Sequence, residues 1–426
     1  MATKYKDSGI PWIGMIPSDW SFDMIGNLYT LRNEKVSDKD YPPLSVGKMG
    51  VVPQLETAAK TDDGDNRKLV RKGDFAINSR SDRRGSCGIS EYDGSVSLIN
   101  TVITPKCEMN PRYYNWFFHT EAFADEFYRW GHGIVDDLWT TRWQEMKRIS
   151  VVFPPLPTQQ RIADFLDRKC AEIDELAALQ ETMIEELKRY KQSLITETVT
   201  KGLDPNTPMK DSGVEWIGEI PSHWTETKVL NVLSMPITDG PHETPNLYDT
   251  GIPFISADAV SDEYINFDNK RGFISQAYYE ECCKKYIPQK YDIYMIKSGA
   301  STGRTAIVET DEIFTIWSPL AVFRANCQMI LPYFLLYVLR SYGFQKQVET
   351  NWSYGTQQNI GMRTLEKLIV SYPSIDEQQQ IADYLDRKCA EIDELIAIKQ
   401  QKIETLKEYK KSVIFEYVTG KKEVEL

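Results

Sequence analysis

The segment IADFLDRKCAEIDEL (Ile162–Leu176) recurs almost unchanged as IADYLDRKCAEIDEL (Ile381–Leu395), with 14 of 15 residues identical at an offset of 219. A second pair of segments precedes these copies: KDSGIPWIGMIPSDW (Lys6–Trp20) and KDSGVEWIGEIPSHW (Lys210–Trp224) share 11 of 15 residues at an offset of 204. The stretches between the matching segments show little similarity to each other. The chain is therefore a duplication of one large module rather than a solenoid of many short repeats.

Each copy of the shared segment predicts a long helix. Residues 158–200 contain no proline or glycine, PPLP precedes them and Gly202 follows, which marks both ends of a helix roughly 60 Å long. The apolar residues of this helix follow a 3–4 spacing, which Gln180 and Tyr190 interrupt. This spacing predicts a single buried seam formed by Ile173, Leu176, Met183, Leu187 and Leu194.

A single-seam helix of this length needs a partner, and the most economical partner is its duplicate at about 377–418. We therefore predict an antiparallel two-stranded coiled coil; the alternative is that each helix packs separately on its neighbouring domain. Such a pair would act as a ruler between the two variable segments.

The variable segments predict mixed α/β domains. Runs rich in β-branched and aromatic residues predict strands within 73–78, 97–105, 251–260, 291–296, 305–309 and 314–325, and longer apolar runs predict helices over 111–130 and 331–349. The predicted fold class is α+β: two mixed α/β domains (1–155 and 206–372) joined by two long antiparallel helices (156–205 and 373–426), with a pseudo-two-fold internal duplication.

Composition and charge narrow the function. The chain has 426 residues, 41% hydrophobic and 26% charged, typical of a folded protein with more than one core. It lacks a long apolar run and an apolar leader, and its seven cysteines never occur as Cys-x-x-Cys, so we expect a cytoplasmic location. The four histidines are isolated and show no zinc spacing.

Two basic patches stand out against a net charge of −12. Residues 67–84 contain seven basic and two acidic residues, and residues 284–304 contain five basic and one acidic. An acidic chain can thus still present two local surfaces that suit a polyanion.

Each patch contains a glycine- and serine-rich loop after a predicted strand: NSRSDRRGSCG (Asn78–Gly88) and KSGASTGRT (Lys297–Thr305). Arginine and lysine suit phosphate contact and guanine recognition, and small residues allow close approach of the backbone. The alternative interpretation is a solvated turn between strands. A second candidate precedes each long helix: NWSYGTQQNIGMR (Asn351–Arg363), with amides that can pair with adenine, and RWGHGIVDDLWTTRWQEMKR (Arg129–Arg148).

The duplicated arrangement of Trp-Ile-Gly-x-Ile-Pro-Ser-x-Trp, a basic glycine-rich turn and a Gln-Gln-x-Ile-Ala-Asp helix start resembles the specificity subunits of type I restriction-modification enzymes. The Gly-Thr-Gln-x-Asn-Ile pattern of that family is matched at 355–360, whereas 129–148 departs from it.

The resemblance implies a non-catalytic subunit whose two target-recognition domains each bind one half of a split DNA sequence. The shared helices would set the spacer and bind two modification (methyltransferase) subunits, with restriction subunits completing the complex. S-adenosylmethionine, ATP and Mg²⁺ would belong to those partners, and this chain would bind no cofactor.

From the residues and the resemblance together we predict these DNA-binding residues: Lys48, Asn78, Ser79, Arg80, Arg83, Arg84, Arg142, Lys297, Ser298, Ser301, Thr302, Arg304, Tyr354, Thr356, Gln357, Gln358 and Asn359.

Three alternatives remain open from the sequence. The chain could be the recognition subunit for a single methylation-and-cleavage polypeptide. It could be a metal-dependent nuclease that uses Glu145 and Lys147, with Asp136 or Asp137 upstream. It could also be a coiled-coil adaptor without a DNA role, which would show none of the steep salt dependence that phosphate contacts produce.

Overall fold

The computed structural model describes residues 4–54, 64–133, 139–261, 264–354 and 358–424, with Ser81 and Tyr354 described by their backbone alone. The chain divides into two compact units: the first comprises Met1–Glu181 and Gln400–Leu426, and the second comprises Thr182–Lys399. Each unit contains one variable segment and one half of each long helix.

The first unit is built on a four-stranded antiparallel sheet of order β10-β9-β12-β4, flanked by a three-stranded sheet of order β11-β8-β5. Smaller pairs are β1 with β2, β3 with β13, and β6 with β7. Its strands are β1 (Tyr5–Asp7), β2 (Met15–Pro17), β3 (Ser21–Met24), β4 (Tyr29–Leu31), β5 (Lys35–Val36), β6 (Leu44–Gly47), β7 (Gly50–Pro53), β8 (Arg67–Val70), β9 (Phe75–Asn78), β10 (Cys87–Ile89), β11 (Gly94–Val96), β12 (Asn100–Pro105) and β13 (Ser150–Phe153); its shorter helices are α1 (Ile25–Leu28), α2 (Pro111–Phe118), α3 (Glu121–Arg129) and α4 (Trp143–Met146).

The second unit repeats this plan. Its four-stranded sheet has the corresponding order β21-β20-β23-β17, beside a three-stranded sheet β19-β18-β22 and the pairs β14 with β15, β16 with β26, and β24 with β25. Its strands are β14 (Met209–Asp211), β15 (Glu219–Pro221), β16 (Thr225–Lys228), β17 (Thr238–Asp239), β18 (Ile252–Ile255), β19 (Gly272–Ile274), β20 (Ile293–Ile296), β21 (Thr305–Ile307), β22 (Thr315–Ile316), β23 (Leu320–Phe323), β24 (Ser353–Tyr354), β25 (Gln358–Asn359) and β26 (Ile369–Tyr372); its shorter helices are α6 (Gln276–Cys283), α7 (Pro332–Arg340), α8 (Tyr342–Asn351) and α9 (Met362–Leu365).

The two predicted helices of the variable segments are each divided in two. The predicted helix over 111–130 is α2 followed by α3, and that over 331–349 is α7 followed by α8. A hydroxyl side chain starts the second helix of each pair: Thr120 accepts a hydrogen bond from the backbone of Phe123, and Ser341 accepts one from Phe344. The apolar periodicity continues across both breaks, so the prediction of single helices was wrong because it missed these N-caps.

The long helices are α5 (Leu156–Lys201) and α10 (Ile375–Val418), as the sequence predicted. In the first unit the ammonium of Lys410 lies 2.7 Å from the carboxylate of Asp174, and in the second unit that of Lys191 lies 2.5 Å from the carboxylate of Asp393. The two ion pairs are equivalent under the 219-residue offset. In each, an early residue of one helix meets a late residue of the other, so the helices pair antiparallel. Among the described residues, every helix is either too short or too polar to span a lipid bilayer.

The buried seam of α5 differs from the predicted one. Leu176 is 47% exposed and Met183 is also exposed, whereas Gln180 is only 6% exposed. The buried positions follow a heptad instead: Leu166, Cys170, Ile173, Gln180 and Ile184. The prediction was wrong at Leu176 and Met183 because it followed apolar character alone, and a polar residue occupies one seam position.

A buried glutamine joins each variable segment to its long helix. Gln159 donates from Nε2 to the carbonyl of Pro154 at 2.8 Å, and its Oε1 accepts from the backbone of Asn110 at 2.8 Å. Its duplicate Gln378 accepts in the same way from Leu331 at 2.8 Å, and it donates to the carbonyls of Pro373 and Met329. The first glutamine of the Gln-Gln motif therefore fixes the start of the helix against the domain.

Replacing Gln378 with alanine should make the protein about 2–4 kcal/mol less stable, because several buried backbone groups would lose their partners. The matched control is Gln379→Ala, since Gln379 is exposed and hydrogen bonds to Asp383 on its own helix. Urea unfolding of both variants measures the difference. Equal stabilities would contradict the role given to Gln378.

Candidate nucleic-acid interface

The basic loop of the first unit is shaped by its two buried polar residues. Asn78 accepts a hydrogen bond through Oδ1 from the backbone of Arg80 at 3.1 Å. The hydroxyl of Ser79 donates to the carbonyl of Ile99 at 2.5 Å. Both side chains are buried, whereas Arg80 is exposed. Asn78 and Ser79 thus hold the loop while Arg80 reaches solvent.

The segment before α5 lies directly against this loop. Thr141 donates its backbone N–H to the carbonyl of Ser79 at 3.0 Å, and Arg80 forms an isolated antiparallel bridge with Thr140. This contact brings Arg142 to the same cleft as Arg80. The cleft has a volume of about 430 Å³ and is lined by Leu31, Lys68, Ser79, Arg80, Leu98, Ile99, Thr101, Thr140, Arg142 and Trp143.

Lys68 is a cationic residue of this cleft that the predicted site does not include. Its Nζ donates to the carbonyl of Asn100 at 2.6 Å, and burial lowers the pKa of its ammonium group. It comes from β8, outside both candidate segments. In the sequence, Lys68 was noted only as one of the seven basic residues of the patch 67–84.

The other predicted cations of this unit are arranged differently. Arg84 forms an ion pair with Asp125 of α3, and Arg83 lies 3.6 Å from the carboxylate of Asp82. Lys48 is exposed at the tip of the β6–β7 hairpin. Arg83 and Arg84 therefore have nearby acidic groups, whereas no salt-bridge partner of Arg80 or Arg142 occurs in the described part of the chain.

The second unit pairs its two candidate segments in the same way. Ile360 donates its backbone N–H to the carbonyl of Lys297 at 2.9 Å, and Gly299 donates to that of Gln358 at 3.0 Å. Ser298 forms an isolated antiparallel bridge with Asn359. The loop after β20 and the segment before α10 thus form one continuous surface, as their counterparts do in the first unit.

Within the second loop the side chains have different environments. The side chain of Lys297 is 12% exposed, and its Nζ lies 3.2 Å from the carboxylate of Asp239. Thr302 donates to the carbonyl of Gly299 at 2.7 Å, and the backbone of Arg304 donates to that of Ser301. Arg304 itself is exposed.

In the adjoining segment, Gln358 is half-buried and Asn359 is exposed. Thr356 and Gln357 lie outside the described residues, as does the side chain of Tyr354.

The matching backbone hydrogen bonds show which positions of the two surfaces correspond. Thr141 bonded to Ser79 corresponds to Ile360 bonded to Lys297, and the bridge of Arg80 with Thr140 corresponds to that of Ser298 with Asn359. By this register Arg142 corresponds to Gly361. The same backbone arrangement therefore presents arginines in the first unit where the second has serine and glycine.

The nuclease alternative depended on Glu145. Its Oε1 lies 3.7 Å from Nε2 of His132. Asp136 and Asp137 lie outside the described residues. Within the described ranges, no group of three or more His, Cys, Asp or Glu side chains is placed to hold a metal ion.

Comparison with known proteins shows which proteins this chain resembles. Residues 240–408 match the model of the type I restriction modification DNA specificity domain. The chain is 26% identical over 280 residues to the putative type I restriction enzyme MjaX specificity subunit of Methanocaldococcus jannaschii, and 26% identical over 248 residues to the type I restriction enzyme EcoBI specificity subunit of Escherichia coli. The chain is thus similar to type I specificity subunits, and residues 240–408 match their DNA specificity domain. The predicted resemblance to type I specificity subunits is confirmed.

These alignments cover 65% and 57% of this chain, and they span 60% and 52% of the length of the two curated relatives. Two solved structures share its fold at 16% identity. One is from work on complex assembly and conformational transition of the type I R-M system (TM-score 0.71, 95% of this chain and 98% of that chain). The other is the HsdS subunit from Thermoanaerobacter tengcongensis (TM-score 0.53, also 95% and 98%). The predicted fold class is confirmed.

A close backbone contact should fix the hairpin that carries Lys48. A Cβ added to Gly88 would lie 2.7 Å from Cα of Gly50, whereas one added to Gly47 would meet nothing within 4 Å. Gly88→Ala should therefore push the hairpin away and destabilise the protein by about 1–3 kcal/mol. Hydrogen exchange of residues 44–53 should accelerate in this variant and stay unchanged in Gly47→Ala. Unchanged exchange in both variants would show that the contact does not hold the hairpin.

Proposed function

We propose that this chain is the sequence-specific DNA-binding subunit of a type I restriction-modification complex, in which each variable domain binds one half of an asymmetric, bipartite target. The observation that supports this most strongly is the pairing of a basic loop with the segment before a long helix, repeated in both units by the same backbone hydrogen bonds. Because the side chains at equivalent positions differ, the two halves of the target should differ as well.

The chemistry of the two surfaces suits different bases. Arg80 and Arg142 can each donate two hydrogen bonds to the major-groove edge of guanine, whereas Gln358 and Asn359 carry amides that match adenine. Lys48, Arg304 and the loop serines and threonines suit phosphate contacts, which set affinity and register rather than sequence. The two surfaces together provide both classes of contact.

We further propose a division of labour along the chain: recognition domains at 1–155 and 206–372, and spacer segments at 156–205 and 373–426. The paired helices would set the distance between the half-sites and dock two modification subunits, which restriction subunits join. S-adenosylmethionine, ATP and Mg²⁺ would be bound by those partners. A cytoplasmic complex is consistent with the seven cysteines, all of which are free.

Methylome sequencing of cells that express this chain with its modification subunit should reveal a motif of two unlike half-sites around a fixed unread spacer. Arg142→Ala should relax one half of the motif, because loss of a bidentate contact costs about 1–3 kcal/mol of discrimination. Asn359→Ala should relax the other half only.

The matched control for Arg142→Ala is Arg161→Ala. Arg161 is an exposed arginine of α5 that hydrogen bonds to Thr158 and lies outside the candidate surface. This variant should leave the motif unchanged. A palindromic or uninterrupted motif, or relaxation of the same half by Arg142→Ala and Asn359→Ala, would refute the proposal.

Insertion of one heptad into both α5 and α10 keeps the seam in register and adds about 10 Å to the helix pair. The unread spacer should lengthen by about three base pairs, with both half-sites preserved. The methylated motif again provides the measurement. A functional variant with an unchanged spacer would show that the helices do not set the distance.

A further inference from the structure

A buried carboxylate lies beneath the basic loop of the second unit. Asp239, the last residue of β17, is fully buried. Its carboxylate accepts a hydrogen bond from the ammonium of Lys285, and it lies 3.2 Å from Nζ of Lys297 and 3.3 Å from Nε2 of His242. A buried carboxylate requires such partners, because an unpaired charge is costly away from water.

The two lysines that share this carboxylate differ in exposure. The side chain of Lys297 is 12% exposed, so its ammonium group is enclosed. The side chain of Lys285, just after α6, is 48% exposed, and its Nζ also lies 3.3 Å from the carbonyl of Gly240. Lys297 therefore acts as an internal counter-ion, while Lys285 is both held in place and open to solvent.

The charges of this cluster do not balance. One carboxylate faces two ammonium groups, so the cluster carries an excess positive charge even when His242 is neutral. The cluster also adjoins the candidate surface of the second unit, because Lys297 belongs to both: its backbone carbonyl accepts the hydrogen bond from Ile360. An ordered ammonium group with excess positive charge beside this surface is suited to a phosphate.

We propose that Lys285 contacts a phosphate of the DNA backbone and that Asp239 is the positioning residue that holds it there. The inference rests on the proposed function and adds a residue that the predicted site does not contain. It also gives Lys297 a different role from the predicted one: its ammonium orients the loop through Asp239 and does not touch DNA.

The positioning role of Asp239 can be tested because it and long-range electrostatics predict opposite changes in DNA affinity for Asp239→Asn. Asp239→Asn removes a negative charge near DNA, so long-range electrostatics alone would strengthen binding. If the carboxylate instead positions Lys285, the same variant binds more weakly. Adding Lys285→Gln to Asp239→Asn should then cost little more, because both changes remove one contact.

The experiment measures binding of the full chain to a duplex that the unaltered chain selects from a randomised library, over a range of salt concentrations. Lys285→Gln should weaken binding roughly five- to tenfold at moderate salt and make the slope of log affinity against log salt shallower by about one. The matched control is Lys284→Gln: Lys284 is the exposed neighbour and forms an ion pair with Glu281 of α6. It should leave the slope unchanged.

Equal slopes for Lys285→Gln and Lys284→Gln, with salt-dependent binding by the unaltered chain, would overturn this inference and leave the proposed function intact. Tighter binding by Asp239→Asn would overturn the positioning role. No salt-dependent binding by the unaltered chain would instead refute the proposed function. Thermal unfolding identifies an Asp239 variant that does not fold. In that case the salt slope of Lys285→Gln alone tests the phosphate contact, because the Lys285 side chain is half exposed and its replacement should not disturb folding.

Discussion

The buried glutamine at the start of each long helix is the interaction on which the arrangement depends. Gln159 and Gln378 are both fully buried, and each satisfies backbone groups of the preceding loop and of the variable domain. A glutamine amide both donates and accepts, so one side chain fixes the helix relative to the domain in two directions. The domain then has a defined orientation on its helix, which a DNA-binding surface requires.

The surface that follows from this arrangement is shared between two distant parts of the sequence. In each unit a loop after a central strand is bonded to the segment that leads into a long helix. Because the backbone supplies these bonds, the side chains can change without disturbing the pairing. This explains how one scaffold presents Arg80 and Arg142 in the first unit and Ser298 and Gly361 at the equivalent positions of the second.

The sequence predicted the parts of the structure that leave a periodic or duplicated signal. The long helices, the mixed domains and the two candidate segments of each module were all predicted. The burial of Gln180 and the exposure of Leu176 were not, because the side of a helix that becomes buried depends on its partner.

The contact between the basic loop and the segment before the long helix could not be predicted, because it consists of backbone hydrogen bonds, which almost any residue can form. Lys297 illustrates the same limit: its counter-ion Asp239 lies on another strand, 58 residues earlier in the chain. Lys68 lies within the basic patch 67–84 but outside both candidate segments, and only the fold brings it to the first cleft.

The central claim is that each unit forms one composite surface and that the two surfaces contact different halves of one DNA target. Photocrosslinking tests it most directly, with a photoreactive side chain placed at position 142 in one protein and at position 359 in another, followed by mapping of the modified nucleotides. Two composite surfaces on different half-sites should give crosslinks in opposite halves of the target, on either side of an unmodified spacer. Crosslinks from both positions to the same half would contradict it.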